Sequence, residues 1–413
     1  MANRYVIKIG ISAEEHDTFV KASKQINLLQ SSYWAEVKHH WQHERIGVYH
    51  DSQLIASMSL LIKSLPLGLS MIYIPRGPVM DYNNRDLVVF VVNMLKDYAK
   101  QKNALVIKCD PALIFKQYKL SDSIRAVRKS GQDAIDAMID AGAKWSGLTV
   151  QMSETIQPRF QANCYLDKDL VETFPKHTKR LMTDARKRGV EVYRAAPSDL
   201  TAFAQVVSLT EDRKHISLRD LDYFKQLMTI YGDDAYLHLA KINIPTQLNY
   251  LQTELLEVEH NLRFVESHQR KKLRKLNNQK EALLKNISEC ERFSEKYPQE
   301  VVIAGILSIA YGQSMEMLYA GMNDDFKKYY PQYLLYPKVF EDAYHHGISW
   351  ANMGGIEGDL SDGLTKFKAN FDPCIEEYIG EFNIPVSPLY HPFNLFYKCH
   401  KRFRFFRHHF PRK

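Results

Sequence analysis

The sequence predicts an α/β protein built of two related sandwiches, with a helical arm inserted in the second. The chain of 413 residues is too long for one average domain. Helix patterns, strand hairpins and crossovers alternate through both halves, which favours two α/β units over one large sheet. A third observation is a segment at 246–297 that contains no Gly or Pro and carries heptad spacing. We expect the first unit to comprise residues 1–155 and 378–413, and the second unit to comprise residues 156–245 and 298–377. The arm is expected at residues 246–297.

The first unit begins with a mixture of strands and helices. Residues 44–63 predict a hairpin that turns at Asp51 and Ser52. Residues 84–102 predict an amphipathic helix, because apolar residues at helical spacing share one of its faces. A strand, ALVIKCDP, follows this helix directly.

The second unit repeats this alternation. A basic helix, KHTKRLMTDARKRG, ends at Gly189. It is followed by a strand (VEVYRA) and by helices from about Ser198 and from about Leu218. Two apolar strands, AYLHLAKINI and VVIAGILSIAYG, complete the unit and flank the inserted segment.

The inserted segment predicts a coiled coil. Its apolar residues alternate by three and four, then change phase across the polar stretch ESHQRKK. They are Leu248, Leu251, Leu255, Val258, Leu262 and Val265 before that stretch, and Leu273, Leu276, Leu283 and Ile287 after it. The phase change favours two antiparallel helices of about 22–24 residues, each roughly 35 Å long. A coiled coil that dimerises with a second chain is the alternative.

The formal charge of +7 is concentrated at the C-terminus. The stretch from Lys398 to Lys413 carries seven Lys or Arg and no acid, which leaves the remainder formally neutral. Phenylalanines are interleaved with these cations, a composition that suits lipid headgroups or an RNA backbone. A solubilising terminus is the alternative interpretation.

The sequence lacks the motifs of several classes of enzyme, which disfavours those classes. No P-loop, strand-linked G-x-G-x-x-G, G-x-S-x-G or H-E-x-x-H occurs, which disfavours nucleotide chemistry, serine hydrolysis and zinc proteolysis. Five scattered cysteines without a C-x-x-C pair indicate a reducing compartment and no structural zinc. His39 and His43 are four residues apart, a spacing that would place them on one face of a helix, but they have no third ligand at a recognisable spacing. We therefore expect no metal and no bound cofactor, and we find neither a signal peptide nor a membrane span.

Two glycine-containing segments are candidate ligand contacts. Residues 353–371 hold four glycines and end in an aromatic and basic run, and adjacent glycines permit a ligand to approach the main chain. Residues 73–81, YIPRGPVMD, predict a rigid turn. Each segment, taken alone, also fits a purely structural turn.

The motifs of the chain, taken together, resemble a known family. They are, in order, NLLQSSYWAEVK, GPVMD, KCDP, the basic helix ending KRGVEV, RDLDYF, the YAG of LYAGM, and MGGIEG with GLTKFK. Their order and spacing are similar to those of the Fem family of non-ribosomal peptidyltransferases over nearly the whole chain. The family has two acetyltransferase-like (GNAT-like) domains, and many members carry a helical hairpin in the second. The chain looks most like the MurM and MurN type, which starts or extends short Ala/Ser bridges.

The resemblance implies a tRNA-dependent aminoacyl transfer. An amine of the stem peptide, or of a bridge residue already attached, attacks the aminoacyl ester of a charged tRNA. The acceptor is the lipid-linked peptidoglycan precursor, lipid II. Because the ester is already activated, no ATP site is needed. This agrees with the missing P-loop.

Site residues follow from the same resemblance. Lys38 and Arg219 would grip the diphosphate of the precursor, with Trp34, Tyr223 and Tyr319 lining the cleft. Three further residues would act in the reaction. Lys368 would stabilise the tetrahedral oxyanion, the backbone carbonyl of Phe367 would orient the amine, and Asp110 matches an acidic residue once considered as a base.

Each of these residues also has an ordinary structural interpretation. Lys38, Arg219 and Lys368 fit solvated surface charges, Tyr223 and Tyr319 fit half-buried core aromatics, and Asp110 fits a turn residue beside Pro111. Two other functions remain open on the residues alone. One is an acetyl-CoA acyltransferase, whose pyrophosphate loop we do not find. The other is a non-enzymatic scaffold that binds RNA or membrane.

The arm and the C-terminal tail are the predicted macromolecular contacts. The tip of the arm is basic, and we expect its five cations to contact tRNA: Arg270, Lys271, Lys272, Arg274 and Lys275. A solvated charged tip is the alternative. The tail is expected to hold a cytoplasmic protein against the cytoplasmic face of the membrane.

Overall fold

The computed structural model describes residues 5–214, 219–392 and 394–395. The sixteen strands in these residues are β1 (Val6–Ile9), β2 (Gln42–His50), β3 (Gln53–Ser64), β4 (Ser70–Ile74), β5 (Val79–Met80), β6 (Ala104–Cys109), β7 (Ile114–Lys119), β8 (Lys144–Trp145), β9 (Phe160–Tyr165), β10 (Glu191–Arg194), β11 (Ala235–Asn243), β12 (Glu300–Tyr311), β13 (Ser314–Met322), β14 (Trp350–Ile356), β15 (Cys374–Tyr378) and β16 (Phe382–Pro385). The α-helices described are α1 (Ala13–Ala22), α2 (Ser32–Val37), α3 (Arg85–Gln101), α4 (Lys129–Asp140), α5 (Leu170–Thr173), α6 (Lys176–Lys187), α7 (Leu200–Lys214), α8 (Leu221–Tyr231), α9 (Ile244–Arg263), α10 (Arg270–Lys296), α11 (Gln332–His345) and α12 (Gly363–Lys368).

The first sheet has the order β1-β2-β3-β4-β6-β16-β8, with β5 paired to β3. Its β2–β3 hairpin turns at Asp51 and Ser52, whose φ angles of 49° and 65° are left-handed, so the predicted hairpin is confirmed. The parallel strands β4 and β6 are joined through α3. The predicted apolar face of α3 is confirmed as well, because Leu87, Val91 and Leu95 are all buried in the hydrophobic core that α3 forms with the first sheet.

The second sheet has the order β10-β11-β12-β13-β14-β9-β15-β7. Helices α6 and α11 contribute to the core on one face, and α7 and α8 contribute to the core on the other. The parallel strands β13 and β14 are joined through α11, which repeats the β4-α3-β6 arrangement of the first sheet. The predicted fold class, two α/β units with an inserted helical arm, is confirmed.

The arm is an antiparallel pair of helices. Helices α9 and α10 lie between β11 and β12, which pair with each other up to Asn243 and Glu300 at the base of the arm. The helices bury their seam against each other rather than presenting it to solvent. Its buried members are Leu251, Val258, Leu283, Ile287 and Cys290. With 20 and 27 residues, α9 and α10 are close to the predicted length.

The chain crosses between the two sheets more than once. Strand β7 lies in the range expected for the first unit, yet it pairs with β15 at the edge of the second sheet. The chain returns to the first sheet with β16, which pairs with β6. The domain bounds given above therefore stay a prediction. The basic tail from Lys398 lies outside the described residues, and no helix in the described part of the chain is long and apolar enough to span a bilayer.

Candidate active site

The central parallel strands of the second sheet pair only briefly. Strands β13 and β14 are in register from Ser314 with Trp350 to Glu316 with Asn352, and the described pairing between them ends there. Each strand is irregular just beyond this point, β13 against β12 and β14 against β9. Bulges of this kind bend a strand and are frequent beside active sites. We call the region just beyond the last pair of β13 and β14 the strand gap. The candidate residues lie on either side of it.

Five predicted residues form a cation–aromatic cluster on the β13 side of the gap. Lys38, at the C-terminal end of α2, has its ammonium 4.6 Å from the centre of the Trp34 ring and 3.5 Å from the Tyr223 hydroxyl. The Arg219 guanidinium lies 4.9 Å from the Tyr223 ring, which meets the Tyr319 ring edge-on at 5.9 Å. Tyr319 belongs to β13, Lys38 follows α2, and Tyr223 belongs to α8. Tertiary packing therefore brings together residues that are far apart in sequence.

Electrostatics distinguish this cluster from ordinary surface charges. Burial and the neighbouring Arg219 lower the pKa of Lys38 to about 8. Two cations held together without a carboxylate partner in the described ion pairs repel each other. An anionic ligand would relieve this repulsion, and a phosphate group would accept charge-assisted hydrogen bonds from both side chains.

Lys368 lies on the β14 side of the gap, in the last turn of α12. Its side chain is buried, and its ammonium donates to the carbonyl oxygens of Gly354 and Gly355, each at 2.9 Å. Gly354 has a φ of +88°, a conformation that other residues rarely adopt. Two bonds to successive carbonyls fix the orientation of the ammonium group.

A β-bulge supplies these two carbonyls. Asn352 pairs with Asn163 of β9 and Gly355 pairs with Gln161, so two residues of β14 stand opposite one residue of β9. The extra residue turns the carbonyls toward Lys368. The glycine at position 354 thus has a structural reason, because the bulge needs a left-handed residue there.

Helix α12 positions both Lys368 and Phe367. Asp362 caps the helix by accepting from the backbone N–H groups of Leu364, at 2.7 Å, and of Thr365, at 3.1 Å. The carbonyl of Phe367 accepts from the Asn370 side chain at 2.9 Å. The Phe367 ring packs edge-on against the ring of Tyr336, which belongs to the hydrophobic core between α11 and the second sheet. This contact anchors α12.

Asp110 lies in the first sheet, directly after β6. It is buried, and its two oxygens accept from the Tyr73 hydroxyl at 2.7 Å and from the Arg76 backbone N–H at 2.6 Å. Burial raises its pKa to about 6, although Arg76 opposes this. Tyr73 belongs to β4 and Arg76 follows it, so Asp110 ties together the ends of two parallel strands.

Three residues near the contact between the two sheets were not predicted from the sequence: Arg76, Glu316 and Asn352. All three are buried. Arg76 donates to the Pro158 carbonyl at 2.9 Å and lies 4.5 Å from the Tyr378 ring, so the first sheet's loop contacts the second sheet. The available signal was a charged residue, Glu316, inside an otherwise apolar strand pattern.

Other predicted positions lie elsewhere. The five cations of the arm tip are exposed at the N-terminal end of α10. His39 accepts a hydrogen bond from the side-chain amide of Gln226 at 3.0 Å. In the described part of the chain, no three His, Cys, Asp or Glu side chains group as a metal site would require.

The chain has relatives along nearly its whole length. Lipid II:glycine glycyltransferase of Staphylococcus aureus strain MRSA252 is 28% identical over 408 residues, covering 93% of this chain and 94% of that protein. The protein of the same name from strain USA300 gives the same identity and coverage. The crystal structure of FemX matches with a TM-score of 0.74 and 26% identity, covering 94% of this chain and 99% of that one.

The family match encloses every site residue described above. Residues 11–398 match the family described as the FemAB family. This range includes the cation–aromatic cluster, the bulge and the arm. The chain therefore belongs to the FemAB family.

Proposed function

We propose that this chain is a tRNA-dependent aminoacyltransferase that adds an amino acid to the stem-peptide lysine, or to the growing interpeptide bridge, of lipid II. The observation that carries the proposal is the extent of the similarity to lipid II:glycine glycyltransferases. The similarity covers 93% of this chain, so it includes the residues on both sides of the strand gap.

The reaction needs an oriented ester and a free amine. The amine nitrogen attacks the ester carbonyl, an amide bond forms, and the bond to the tRNA ribose oxygen breaks. The proton lost by the amine is balanced by the proton gained by the ribose hydroxyl. The tetrahedral intermediate carries an oxyanion, and the Lys368 ammonium is the cation that stabilises it. One such donor is typically worth about 10²- to 10³-fold in rate.

The acceptor is held by the cation–aromatic cluster. Lys38 and Arg219 bind the diphosphate, and Trp34, Tyr223 and Tyr319 line the cleft beside it. The cluster and Lys368 lie on opposite sides of the strand gap. Tyr319 and Gly355 each follow the last paired residue of their strand by three positions. A diphosphate bound on one side leaves the stem peptide free to reach toward the other side.

The donor tRNA is bound by the arm. Five exposed cations occupy the start of α10, where the helix dipole disfavours positive charge, and that first turn has no acid. None of the five takes part in an ion pair with another described residue. Their placement therefore costs stability that an anionic ligand would restore.

Helix α6, which is rich in basic residues, lies between the arm and the segment that carries Lys368. At the start of α6, the Thr178 hydroxyl donates to the carbonyl of Asn370 at 2.8 Å, beside α12. At its end, Gln247 of α9 donates to the carbonyl of Lys187 at 3.1 Å. The exposed Lys176, Arg180 and Lys187 recur at helical spacing along α6. A polyanion bound to the arm could follow this face toward the strand gap.

The transferred residue is proposed to be Ala or Ser, as expected for the branch that builds short Ala/Ser bridges. The names of the relatives make Gly the alternative for the transferred residue. The protein acts in the cytoplasm at the inner face of the membrane, where the basic tail from Lys398 would contact anionic lipid.

A transfer assay tests the proposal. Purified protein is supplied with lipid II and with tRNA charged separately with Ala, Ser or Gly. We expect amino acid to leave the tRNA and appear on the precursor only when both substrates are present. Lys368→Ala should lower kcat by about 10²- to 10³-fold. Lys366→Ala, an exposed lysine on the same helix, is the matched control and should stay near wild type.

Three outcomes would contradict parts of this proposal. Transfer of an acetyl group from acetyl-CoA would favour the acyltransferase alternative. Binding of both ligands without turnover would favour the scaffold. Unchanged turnover in Lys368→Ala would remove the lysine from the reaction.

A further inference from the structure

The bulge that holds Lys368 depends on one side chain, Asn352. The Asn352 amide oxygen accepts from the Gly354 backbone N–H at 2.7 Å, which closes the bulge. Its amide nitrogen donates to the Gln161 side chain at 3.1 Å. Every polar atom of this buried amide is therefore engaged, and its orientation is fixed.

Glu316 is the second member of this arrangement. It stands directly opposite Asn352 in the last described pair of β13 and β14. Its carboxylate also accepts from the Asn27 side chain at 3.3 Å. The charged groups that face it are Arg76, from the loop after β4, and Glu376, from β15. Glu316 is thus a buried carboxylate with one cation and one further acid as its charged neighbours.

These contacts form a continuous path to the ammonium group. Glu316 is paired with Asn352 across β13 and β14, Asn352 accepts from the N–H of Gly354, and the carbonyl of Gly354 accepts from Lys368. A buried carboxylate costs stability, and apolar residues of similar volume are often neutral or stabilising in such places. The arrangement calls for a role besides folding, and its position at the opening of the strand gap indicates one.

We propose that Asn352 and Glu316 are positioning residues for the transfer reaction, which fix the bulge at Met353 and Gly354 and thereby orient the Lys368 ammonium. The inference rests on the proposed function, in which Lys368 stabilises the oxyanion. Neither residue contacts the reacting atoms. A displacement of about 1 Å at a stabilising group can cost up to about 100-fold in rate, so positioning of this kind is measurable.

A double-mutant cycle in kcat tests the proposal with the full-length chain. Asn352→Ala should lower kcat by about 10- to 100-fold and leave both KM values within about twofold of wild type. In the Lys368→Ala background, Asn352→Ala should lower kcat by less than about twofold, because the group that it positions is gone. Glu316→Gln, which keeps the shape of the side chain, should lower kcat by a smaller factor and show the same dependence on Lys368.

Asn163→Ala is the matched control. Asn163 is buried opposite Asn352 on β9, but its amide donates to Glu376, at 2.6 Å, and not to the bulge. Its effect on kcat, whatever its size, should be the same with and without Lys368. If Asn352→Ala lowers kcat equally in both backgrounds, Asn352 acts through general stability and the proposal is overturned.

A crystal structure of Asn352→Ala provides a readout that needs no activity. We expect the Lys368 ammonium to lose at least one of its two 2.9 Å contacts with the bulge carbonyls. Retention of both contacts would overturn the inference, whatever the kinetics show. Wild-type protein that transfers nothing to lipid II would instead refute the proposed function and leave this structural test decisive for the positioning role.

Discussion

At the scale of single residues, the charge state of Lys38 should set the pH dependence of precursor binding. Burial beside Arg219 lowers its pKa to about 8, so the cation is present below pH 8 and is lost as the pH rises through that value. Because the proposed diphosphate contact requires the cation, the KM for lipid II should rise between pH 7 and pH 9. Lys38→Arg keeps its charge throughout this range and should show a flat profile. Steady-state kinetics at a series of pH values measures both, and a wild-type KM that does not change would contradict the assignment.

Glu316 should make the fold less stable as the pH rises. Burial raises its pKa from 4.5 to about 7, against the opposing effects of Arg76 and Asn352. Between these pH values the folded state keeps a proton that the unfolded state has lost. The free energy of unfolding therefore falls as the pH rises from about 4.5 to about 7, by on the order of 3 kcal/mol at most.

Glu316→Gln carries no charge and should escape this loss. We expect the variant to be more stable than wild type at pH 8, by about 1–3 kcal/mol, and similar at pH 4.5. Urea unfolding at the two pH values measures the difference. A variant that is less stable at pH 8 would mean that the ionised carboxylate stabilises the fold. Higher stability combined with lower kcat is the trade-off expected of a functional residue.

At the scale of elements, the bulge in β14 is the feature that requires glycine. Gly354→Ala places a methyl group at a φ of +88°, with its carbon 3.6 Å from the Lys368 nitrogen. Gly347→Ala is the matched control, because its φ of +77° imposes a similar strain while the added carbon meets nothing within 4 Å. Both variants should lose about 1 kcal/mol of stability. Only Gly354→Ala should also lower kcat, by at least about tenfold, and equal kcat values in the two variants would argue against the bulge.

The arm is the element expected to determine the affinity for tRNA. Replacing Arg270, Lys271, Lys272, Arg274 and Lys275 with Gln should raise the KM for aminoacyl-tRNA and reduce its salt dependence. Each phosphate contact that is lost should lower the slope of log KM against log salt by somewhat less than one. Lys285→Gln with Arg292→Gln, exposed lower on the same helix, is the control. If the tip variant and the control behave alike, the tip does not contact tRNA.

How well the sequence predicted each element depended on how local its signal is. Helix α3, the β2–β3 hairpin and the arm were predictable, because periodicity and turn residues are properties of consecutive residues. The bulge at Gly354 was not, since it exists only opposite β9, almost two hundred residues earlier in the chain. The Gly-Gly pair marked the place but did not reveal its geometry.

The cations of the candidate site were named from the sequence, whereas its buried polar groups were not. Lys38, Arg219 and Lys368 were identified by resemblance, and the structure places the first two together. Arg76, Glu316 and Asn352 come from three separate strands or loops, and their proximity is a product of tertiary packing. Asp110 was identified as a candidate base, whereas its contacts with Tyr73 and Arg76 describe a residue that fixes a loop.

At the scale of the whole molecule, Arg76 joins the two sheets electrostatically. Its loop is held to the first sheet by Asp110, while its guanidinium contacts Pro158 and Tyr378 beside the second. It opposes the effect of burial on both Asp110 and Glu316, whose pKa values are nevertheless raised to about 6 and about 7. One cation therefore keeps two buried carboxylates, one in each unit, within the range where they can ionise.

Arg76→Ala should therefore destabilise the protein in a pH-dependent way. Without the cation the pKa values of both carboxyl groups rise further, so their ionised forms become costly above pH 7. We expect a loss of about 3–5 kcal/mol in the free energy of unfolding at pH 8. The loss should be smaller at pH 5, where both carboxyl groups are largely protonated in the variant. Arg159→Met is the control, because Arg159 is also buried but pairs with Glu377 of the second sheet at 3.2 Å. Both variants should lose stability, but only Arg76→Ala should also lower kcat, since Arg76 faces Glu316, one of the two residues proposed to position Lys368. Equal losses for Arg76→Ala at pH 5 and pH 8 would show that the guanidinium acts by packing alone.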